Sequence, residues 1–495
     1  MRANAAFAAL AGLGLRLYFV LRFPVNDSGD APFYIELAWN WLKKGVYGFS
    51  INGRLTPVDM RVPGYPAFLA AVFAVAGRSQ RAVMVTQAVL DVVTCFVIAL
   101  IAARLAPEAS RRRVGIVALW LAVLCPFTAN YSAVVLTEVL VTFLTALAIL
   151  VLIGAYRRDL FGTPVTDATG AVRGLSPWFL GGLLVGFGTL VRPETPLLLA
   201  AVGIALIARW WRPRDWVKLV RAGALMAAGL ALPLVPWAAR NWRTLHEVQF
   251  LAPRYSTLPG EFAPLGFNSW TATWLWRFGD VYNSLWELND EAIHVSDLPP
   301  SAFDSPRERA RVAALLGQYN DTLTLTREQD RAFAEIARER TARDPVRTYV
   351  KIPVLRSLAL WFTPRIELLP YSGQLRPFAT EWDEDREDVL VTLEFIAVNA
   401  IYLGLALIGA WVARGRCGWG ILIAFILLRT IYIAYFVETP EPRYVLECFP
   451  AVIALAAQAF SAPWRRRDKR PLGRVSNPPA RASRSALLNR LGVNR

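Results

Sequence analysis

Hydrophobic residues occur along this chain in runs long enough to cross a membrane, separated by short polar turns and by two long polar segments. A helix needs about 20 apolar residues to cross the ~30 Å hydrocarbon core of a bilayer. The runs therefore predict an all-α polytopic membrane protein with about 10 to 11 transmembrane helices. The predicted spans lie at about residues 5–23, 81–103, 113–126, 134–155, 177–191, 195–210, 217–237, 390–412, 418–436 and 445–462.

Basic residues orient these spans, because cytoplasmic loops are enriched in Lys and Arg. Clusters follow every second predicted span, at 104–113, 157–158, 209–214, 414–416 and 465–470. This spacing predicts that both termini are cytoplasmic. The first loop segment (24–80) and the second loop segment (238–389) are then extracytoplasmic. The chain divides into a transmembrane domain, 1–463, and a basic, disordered cytoplasmic tail, 464–495.

Both loop segments contain amphipathic stretches. Residues 31–44 place apolar side chains at helical spacing on one face, which predicts a helix lying on the outer surface. Residues 346–363 are similar, but Lys351 and Arg356 interrupt the apolar run. We interpret them as a second surface helix, with an eleventh span as the alternative. The charged pattern of 303–343 predicts solvent-exposed helices.

The composition fits a membrane protein, since 55% of the 495 residues are hydrophobic and 18 are tryptophan. The formal net charge is +16, but basic residues concentrate in the tail and beside the spans. This placement fits anionic lipid headgroups better than a nucleic-acid surface, so membrane lipids are expected partners and nucleic acid is not. The four cysteines show no metal-ligand or disulfide spacing: Cys95, Cys125, Cys417 and Cys448.

Ionisable residues gather where the predicted spans meet the outer face. In NDSGDAPFY (26–34), Asp30 either caps the following helix or serves a site. Glu138 lies about one turn inside the fourth span, where an ionisable group is costly without a partner or a task. The same face carries four arginines and two tyrosines: Arg61, Arg192, Arg240, Arg443, Tyr34 and Tyr444. Each arginine alone is typical of a headgroup anchor, but together they indicate a phosphate site, because a guanidinium binds phosphate oxygens bidentately.

The order of several short motifs resembles that of bacterial GT-C glycosyltransferases, the superfamily of protein O-mannosyltransferases (glycosyltransferase family 39) and aminoarabinose transferases. The motifs cover about residues 10–460 and read NDSGDAPFYIELAWNWLKKGVYG, MRVPGYPAFLAAVFAVAG, TEVL, LVRPE, PWAARNW, DPVRTYVK and EPRYVLECFPAVIAL. In this superfamily an Asp-Glu pair is usual in the first outer loop, whereas here Ala31 follows Asp30. Arg61 stands where the aminoarabinose transferases have a lysine.

The resemblance implies a GT-C-type helical bundle in the bacterial inner membrane that transfers a sugar from a polyprenyl-phosphate donor. The acceptor is a lipid, a glycan or a protein, the site is extracytoplasmic, and the anomeric carbon is inverted. Asp30 matches the family's catalytic aspartate.

Such a transfer needs a carboxylate to remove the acceptor proton and cations to stabilise the departing phosphate. Asp30 is the candidate base, and the four arginines are candidate phosphate contacts, with Tyr34 and Tyr444 as hydrogen-bond donors. Glu138 either positions the acceptor or pairs with an arginine. No cofactor is expected. The acidic run EWDEDRED (381–388) could hold a divalent cation, although a solvated loop is the favoured interpretation.

Two other groups of residues leave alternatives open. Asp91 and Arg429 lie near the middle of predicted spans, where unpaired charges are costly, so we expect them to be paired in the bundle, with a proton relay as the alternative. Five aromatic residues of the second loop segment either stack on sugar rings or form an interfacial belt: Trp270, Trp274, Trp276, Tyr282 and Trp286.

Three other functions remain to be considered: a lipid or sugar transporter or flippase, an oligosaccharide polymerase or ligase, and a non-catalytic envelope assembly protein. Transporters usually place substrate residues near the membrane midplane. Here the ionisable residues lie at the outer ends of the predicted spans, which favours sugar transfer at the surface.

Overall fold

The computed structural model describes residues 2–26, 29–161, 175–210, 215–255, 262–375 and 377–461. The predicted tail, 464–495, lies outside the described residues. The helices are α1 (Arg2–Arg22), α2 (Ala31–Lys44), α3 (Gly64–Ala76), α4 (Gln80–Leu105), α5 (Arg111–Val123), α6 (Pro126–Ala129), α7 (Glu138–Phe161), α8 (Pro177–Thr189), α9 (Leu197–Trp210), α10 (Trp216–Leu245), α11 (Leu265–Thr271), α12 (Gly279–Tyr282), α13 (Pro306–Asn320), α14 (Arg327–Arg343), α15 (Ile352–Phe362), α16 (Phe378–Glu384), α17 (Arg386–Val412), α18 (Trp419–Phe436) and α19 (Phe449–Ala456). Two strands, β1 (Gly48–Ile51) and β2 (Arg54–Pro57), form an antiparallel hairpin.

Each predicted span coincides with a helix, which confirms an all-α fold of the membrane type. Among the described residues, seven helices are long and apolar enough to cross a membrane, or up to eight if the bent pair 108–133 is one span. Two predicted spans are shorter than a crossing requires: α8 has 13 residues and α9 has 14. At 1.5 Å per residue each is only roughly 20 Å long.

The short helix α8 packs closely on α10 because glycines line the contact. A Cβ added at Gly182 would lie 2.2 Å from the carbonyl oxygen of Met226. One added at Gly229 would lie 2.2 Å from the carbonyl oxygen of Phe179. Small residues let two helices approach to backbone contact in this way, and they hold α8 against the long α10.

The first loop segment folds around α2, whose bounds agree with the predicted surface helix. The hairpin after it was not predicted, and its turn is Asn52-Gly53, with φ of 50° and 77°. Positive φ at both positions gives the type I′ turn that Asn-Gly favours. The apolar helix α3 was also not predicted. Its first residue, Gly64, donates its N–H to the carbonyl of Leu190 at 2.6 Å and so docks the segment on the end of α8.

The second loop segment has a hydrophobic core of its own. Trp270 and Trp274, which the sequence offered as sugar-stacking residues, are at most 1% exposed and pack with Phe333 in this core. The helices predicted within 303–343 are confirmed as α13 and α14. Thr326 begins α14 with a capping box, in which its hydroxyl and the side chain of Gln329 bond reciprocally to backbone N–H groups.

Residues 346–363 are largely helical, as both predicted arrangements require. A π-helical turn leads into α15, which is 11 residues long and too short to span a membrane. The carbonyl of Tyr349 accepts a hydrogen bond from Tyr435, near the end of α18. Further along α15, the carbonyl of Trp361 accepts one from Asn399, near the middle of α17, and its indole N–H donates to Thr430 of α18. The segment therefore runs from the end of α18 toward the middle of the bundle.

Candidate active site

Asp30 occupies the N-cap position of α2 but does not cap the helix. Its side chain makes no capping hydrogen bond, and its backbone is helical, with φ −89° and ψ −24°. An N-cap residue whose side chain bonds the helix normally has an extended backbone. The structure therefore does not support the capping interpretation, and the Asp30 carboxylate bonds elsewhere.

Two arginines from distant parts of the chain contact the Asp30 carboxylate. The distance from Asp30 Oδ1 to Arg61 Nη2 is 3.0 Å, and that from Oδ2 to Arg443 Nη2 is 3.4 Å. Burial acts to raise the pKa of Asp30, but the guanidiniums of Arg443 and Arg61 outweigh it and hold the pKa below its ordinary value. The carboxylate, with a side chain 30% exposed, is thus ionised at neutral pH and open to a ligand.

Arg443 and Tyr444 share a partner that the sequence did not single out, Glu441. Arg443 Nε lies 2.5 Å from Glu441 Oε2, and the Tyr444 hydroxyl donates to Glu441 Oε1 at 2.6 Å. The guanidiniums of Arg443 and Arg192 both lie 5.3 Å from the centroid of the Tyr444 ring. At this distance each cation is attracted by the ring, so Tyr444 links the two arginines.

Glu138 and Arg192 form a buried ion pair. The distance from Glu138 Oε1 to Arg192 Nη2 is 2.7 Å, and Arg192 Nε donates to the hydroxyl of Thr137 at 3.0 Å. The two residues are 3% and 9% exposed. Of the two roles that the sequence left open for Glu138, the structure shows pairing with an arginine. We therefore interpret Glu138 as a positioning residue for Arg192 instead of a catalytic group.

Tyr34 lies one helical turn after Asp30 on α2. Its ring meets that of Tyr65 edge to face, with centroids 5.1 Å apart. Burial, and then the negative charge of Asp30, raise the pKa of Tyr34 to about 12. The hydroxyl consequently remains protonated at neutral pH and can donate a hydrogen bond, as its predicted role requires.

Arg240 contacts a different part of the molecule. Its Nη2 donates to the carbonyl of Tyr47 at 2.7 Å, and its Nη1 donates to the carbonyl of Val58 at 2.8 Å. The guanidinium also lies 5.1 Å from the ring centroid of Trp237. Arg240 thus fixes the backbone on either side of the hairpin, and the structure does not place it on Asp30 with Arg61 and Arg443.

An apolar groove of about 750 Å³ opens between α3, α7, α8 and α10. The side chains that line it include Phe68, Leu140, Leu144, Phe187, Val191, Pro236 and Trp237, and Arg240 is a charged residue of its wall. Pro63 and Gly64, which line the groove, follow Arg61 by two and three residues, and Val191, which also lines it, directly precedes Arg192. The apolar groove therefore adjoins the cluster of charges around Asp30.

The charges at depth in the bundle are paired, as expected, but Asp91 and Arg429 do not pair with each other. Asp91 Oδ2 lies 2.8 Å from Arg16 Nη2, and Arg429 pairs with Glu447.

In the acidic run, Asp388 accepts hydrogen bonds from the N–H groups of Ser372 and Gly373. Within the described ranges, no three carboxylate, histidine or cysteine side chains are grouped so as to hold a metal ion.

Comparison with known proteins finds similarity only at the level of structure. No model of a protein family matches the sequence, and no curated protein matches it. A crystal structure of the Archaeoglobus fulgidus oligosaccharyltransferase in complex with Zn and sulfate is 15% identical, with a TM-score of 0.46, and covers 92% of this chain. The oligosaccharyltransferase AglB of the same organism, in complex with an inhibitory peptide and a dolichol-phosphate, is 14% identical at the same TM-score and coverage.

This chain spans about half the length of those proteins, 48% and 50%. Identity and TM-score at this level carry no residue role to the present chain.

Proposed function

We propose that this protein transfers a sugar from a polyprenyl-phosphate donor to a hydroxyl of a lipid, glycan or protein acceptor. The reaction inverts the anomeric carbon and takes place at the extracytoplasmic face of a bacterial inner membrane. The observation that carries the proposal is the Asp30 carboxylate held between Arg61 and Arg443 beside an apolar groove. A base, phosphate-binding cations and a lipid-binding surface are the three parts that such a transfer needs.

The apolar chain and the charged phosphate of the donor bind to different parts of the site. An isoprenoid chain is apolar, and the groove volume of about 750 Å³ lies within the range of ligand pockets. The donor phosphate then meets Arg61 and Arg443, whose guanidiniums stabilise the charge that develops as the phosphate departs. Arg192, whose charge Glu138 balances, is a third guanidinium that acts on Asp30 and so lies near this part of the site.

In the chemical step an acceptor oxygen attacks the anomeric carbon as Asp30 takes its proton. The bond from that carbon to the phosphate oxygen breaks, and the phosphate leaves with the electron pair. A carboxylate of low pKa is a weak base in the free enzyme. Donor phosphate shares the guanidiniums of Arg61 and Arg443, which weakens their hold on Asp30. We therefore expect donor binding to raise the pKa of Asp30 and to precede productive acceptor binding.

The test uses purified protein in lipid vesicles with a panel of polyprenyl-phosphate sugars and acceptors. Asp30→Asn removes the base while keeping the size of the side chain, and kcat/KM is expected to fall about 10²- to 10⁴-fold. Asp59→Asn is the matched control, because Asp59 belongs to the same loop segment and its charged neighbours are Glu247 and Arg240.

Three outcomes would count against the proposal. Unchanged turnover by Asp30→Asn excludes this residue as the base. Lipid flipping without turnover of any donor supports a transporter. Transfer of whole oligosaccharides from a diphosphate carrier supports a polymerase or ligase.

A further inference from the structure

Three aromatic rings of the second loop segment form a cluster at the edge of its buried core, against which one of them, Phe278, packs. The ring centroids of Tyr282 and Trp286 are 4.5 Å apart. The centroid of the Phe278 ring lies 5.2 Å from that of Tyr282 and 5.5 Å from that of Trp286. Tyr282 is 44% exposed and Trp286 is 42% exposed, in contrast to the buried Trp270 and Trp274. We call these three residues the aromatic triad. Large exposed rings gathered in this way provide an apolar surface of the kind that recognition sites use.

A buried arginine holds the chain near the triad against the chain near Glu441. Arg356, only 4% exposed, donates from Nε to the carbonyl of Leu275 at 2.8 Å. Its Nη1 and Nη2 donate to the carbonyls of Val437 and Glu438 at 3.1 Å and 3.3 Å. The triad begins three residues after Leu275, and Glu441 follows Glu438 by three residues. One guanidinium thus brings the triad next to the turn that carries Glu441 and Arg443.

The charges that act on Tyr282 agree with this placement. Burial raises the pKa of Tyr282, the negative charges of Glu367 and Glu441 raise it further, and Arg443 opposes them. Arg443 is also a partner of Asp30. The triad therefore borders the same group of charges as the candidate base.

Glu367 has a buried oxygen without a hydrogen-bond partner among the described residues. The hydroxyl of Tyr131 donates to its Oε1 at 2.7 Å, whereas its Oε2 is buried and accepts no hydrogen bond from the described residues. Buried polar atoms are nearly always bonded to protein, water or ligand. An acceptor oxygen in this position suits a ligand that brings a hydroxyl donor.

We propose that the aromatic triad and Glu367 form the acceptor subsite, and that the acceptor presents a sugar ring, as a glycan or glycolipid does. The inference rests on the proposed function and names its acceptor class. A pyranose ring has an apolar C–H face that packs on the exposed rings of Tyr282 and Trp286, and hydroxyl groups that donate to Glu367 Oε2. A peptide acceptor would offer neither feature regularly.

The binding experiment uses the full-length protein and one defined probe, the core oligosaccharide released from bacterial lipopolysaccharide, titrated calorimetrically. Trp286→Ala is expected to raise the Kd about tenfold, the size of a lost aromatic contact. Trp411→Ala is the matched control, an exposed tryptophan near the end of α17, and it should leave the Kd unchanged. Glu367→Gln, which keeps the shape but adds a donor, should also weaken binding.

A kinetic experiment separates the subsite from the donor site. In Trp286→Ala the acceptor KM should rise about tenfold, while the donor KM stays unchanged. Equal affinities in Trp286→Ala and wild type would overturn the inference, as would binding of a Ser/Thr-rich peptide but not of the oligosaccharide. Oligosaccharide binding that Trp286→Ala weakens, in a protein that transfers no sugar, would keep the subsite and remove the proposed function.

Discussion

The behaviour of Asp30 depends on two opposing effects at this residue. Burial favours the neutral acid, and the guanidiniums of Arg443 and Arg61 favour the carboxylate and prevail, so the pKa of Asp30 is low. The pH dependence of kcat/KM reports groups of the free enzyme. The acid limb of the wild-type profile should therefore lie below about pH 4, the ordinary range of an aspartate.

Removing Arg61 should move this limb to higher pH. In Arg61→Ala one of the two guanidiniums that lower the pKa of Asp30 is gone, so burial raises this pKa. Asp30 is then protonated at a higher pH, and activity is lost there as the solution is acidified. The measurement is the pH profile of kcat/KM for wild type, Arg61→Ala and the control Arg240→Ala, whose guanidinium contacts Tyr47 and Val58. An acid limb that stays in place in Arg61→Ala would contradict this assignment.

The Glu138–Arg192 pair makes a second prediction at this scale. Glu138→Ala leaves a buried guanidinium without its partner, which costs about 3–5 kcal/mol of unfolding free energy. The exposed pair of Arg311 and Glu335 is the control, and Glu335→Ala should cost at most about 1 kcal/mol. Thermal unfolding in detergent measures both. Similar losses of stability in the two variants would show that Glu138 does not anchor Arg192.

Several of these residues could be predicted from the sequence and others could not. Asp30, Arg61 and Arg443 were predicted because polar residues at span ends share one membrane face. Glu441 was missed although it stands two residues before Arg443, since a carboxylate in a short turn has no distinctive pattern. Arg240 was predicted to contact phosphate. Its actual partners are two carbonyls beside the hairpin, and they could not be predicted because they depend on a fold that hydropathy does not reveal.

At the scale of elements, α15 and the turn that leads into it, residues 346–362, present an apolar face that is about half exposed. Large side chains four residues apart are 49–64% exposed along this face: Val346, Val350, Val354, Leu358 and Phe362. The opposite face packs on α18. Because the exposed apolar side of α18 adjoins it, we predict that α15 enters the lipid from the Asp30 side of the bundle and ends within it.

Spin labels on single cysteines test this arrangement of α15. A label at Leu358 should be more accessible to oxygen, and less to a water-soluble nickel complex, than a label at Val346. Glu335 in α14, which is exposed, supplies the aqueous reference. The half-buried Cys417 is first replaced by serine. Equal nickel accessibility at Leu358 and Val346 would show that α15 lies flat on the surface.

Long apolar elements were predictable, and short ones less so. Helices such as α4 and α17 agree with their predicted spans because lipid selects continuous apolar runs. The hairpin was missed although Asn52-Gly53 is a strong turn signal, since two strands of four residues hardly register beside long hydrophobic runs. The position of α15 against the bundle could not be predicted, because it depends on contacts with Asn399 and Thr430, which belong to other helices.

At the scale of the whole molecule, the site exists only when distant parts of the chain meet. Asp30 and Arg61 come from the first loop segment, Arg192 from the turn between α8 and α9, and Arg443 from the turn before α19. Gly64 docks the first of these on the end of α8, beside Arg192. The ends of the helices thus supply the charges, while their sides supply the apolar groove.

The most direct test of sugar transfer at this site is the single-turnover rate with donor already bound. Protein loaded with a polyprenyl-phosphate sugar is mixed with acceptor, and formation of the glycosylated product is followed in wild type and Asp30→Asn. The account predicts a chemical step about 10²- to 10⁴-fold slower in the variant. Donor should bind at least as tightly, because Arg61 and Arg443 no longer share their charge with a carboxylate. A single-turnover rate equal to that of the wild type would contradict the account.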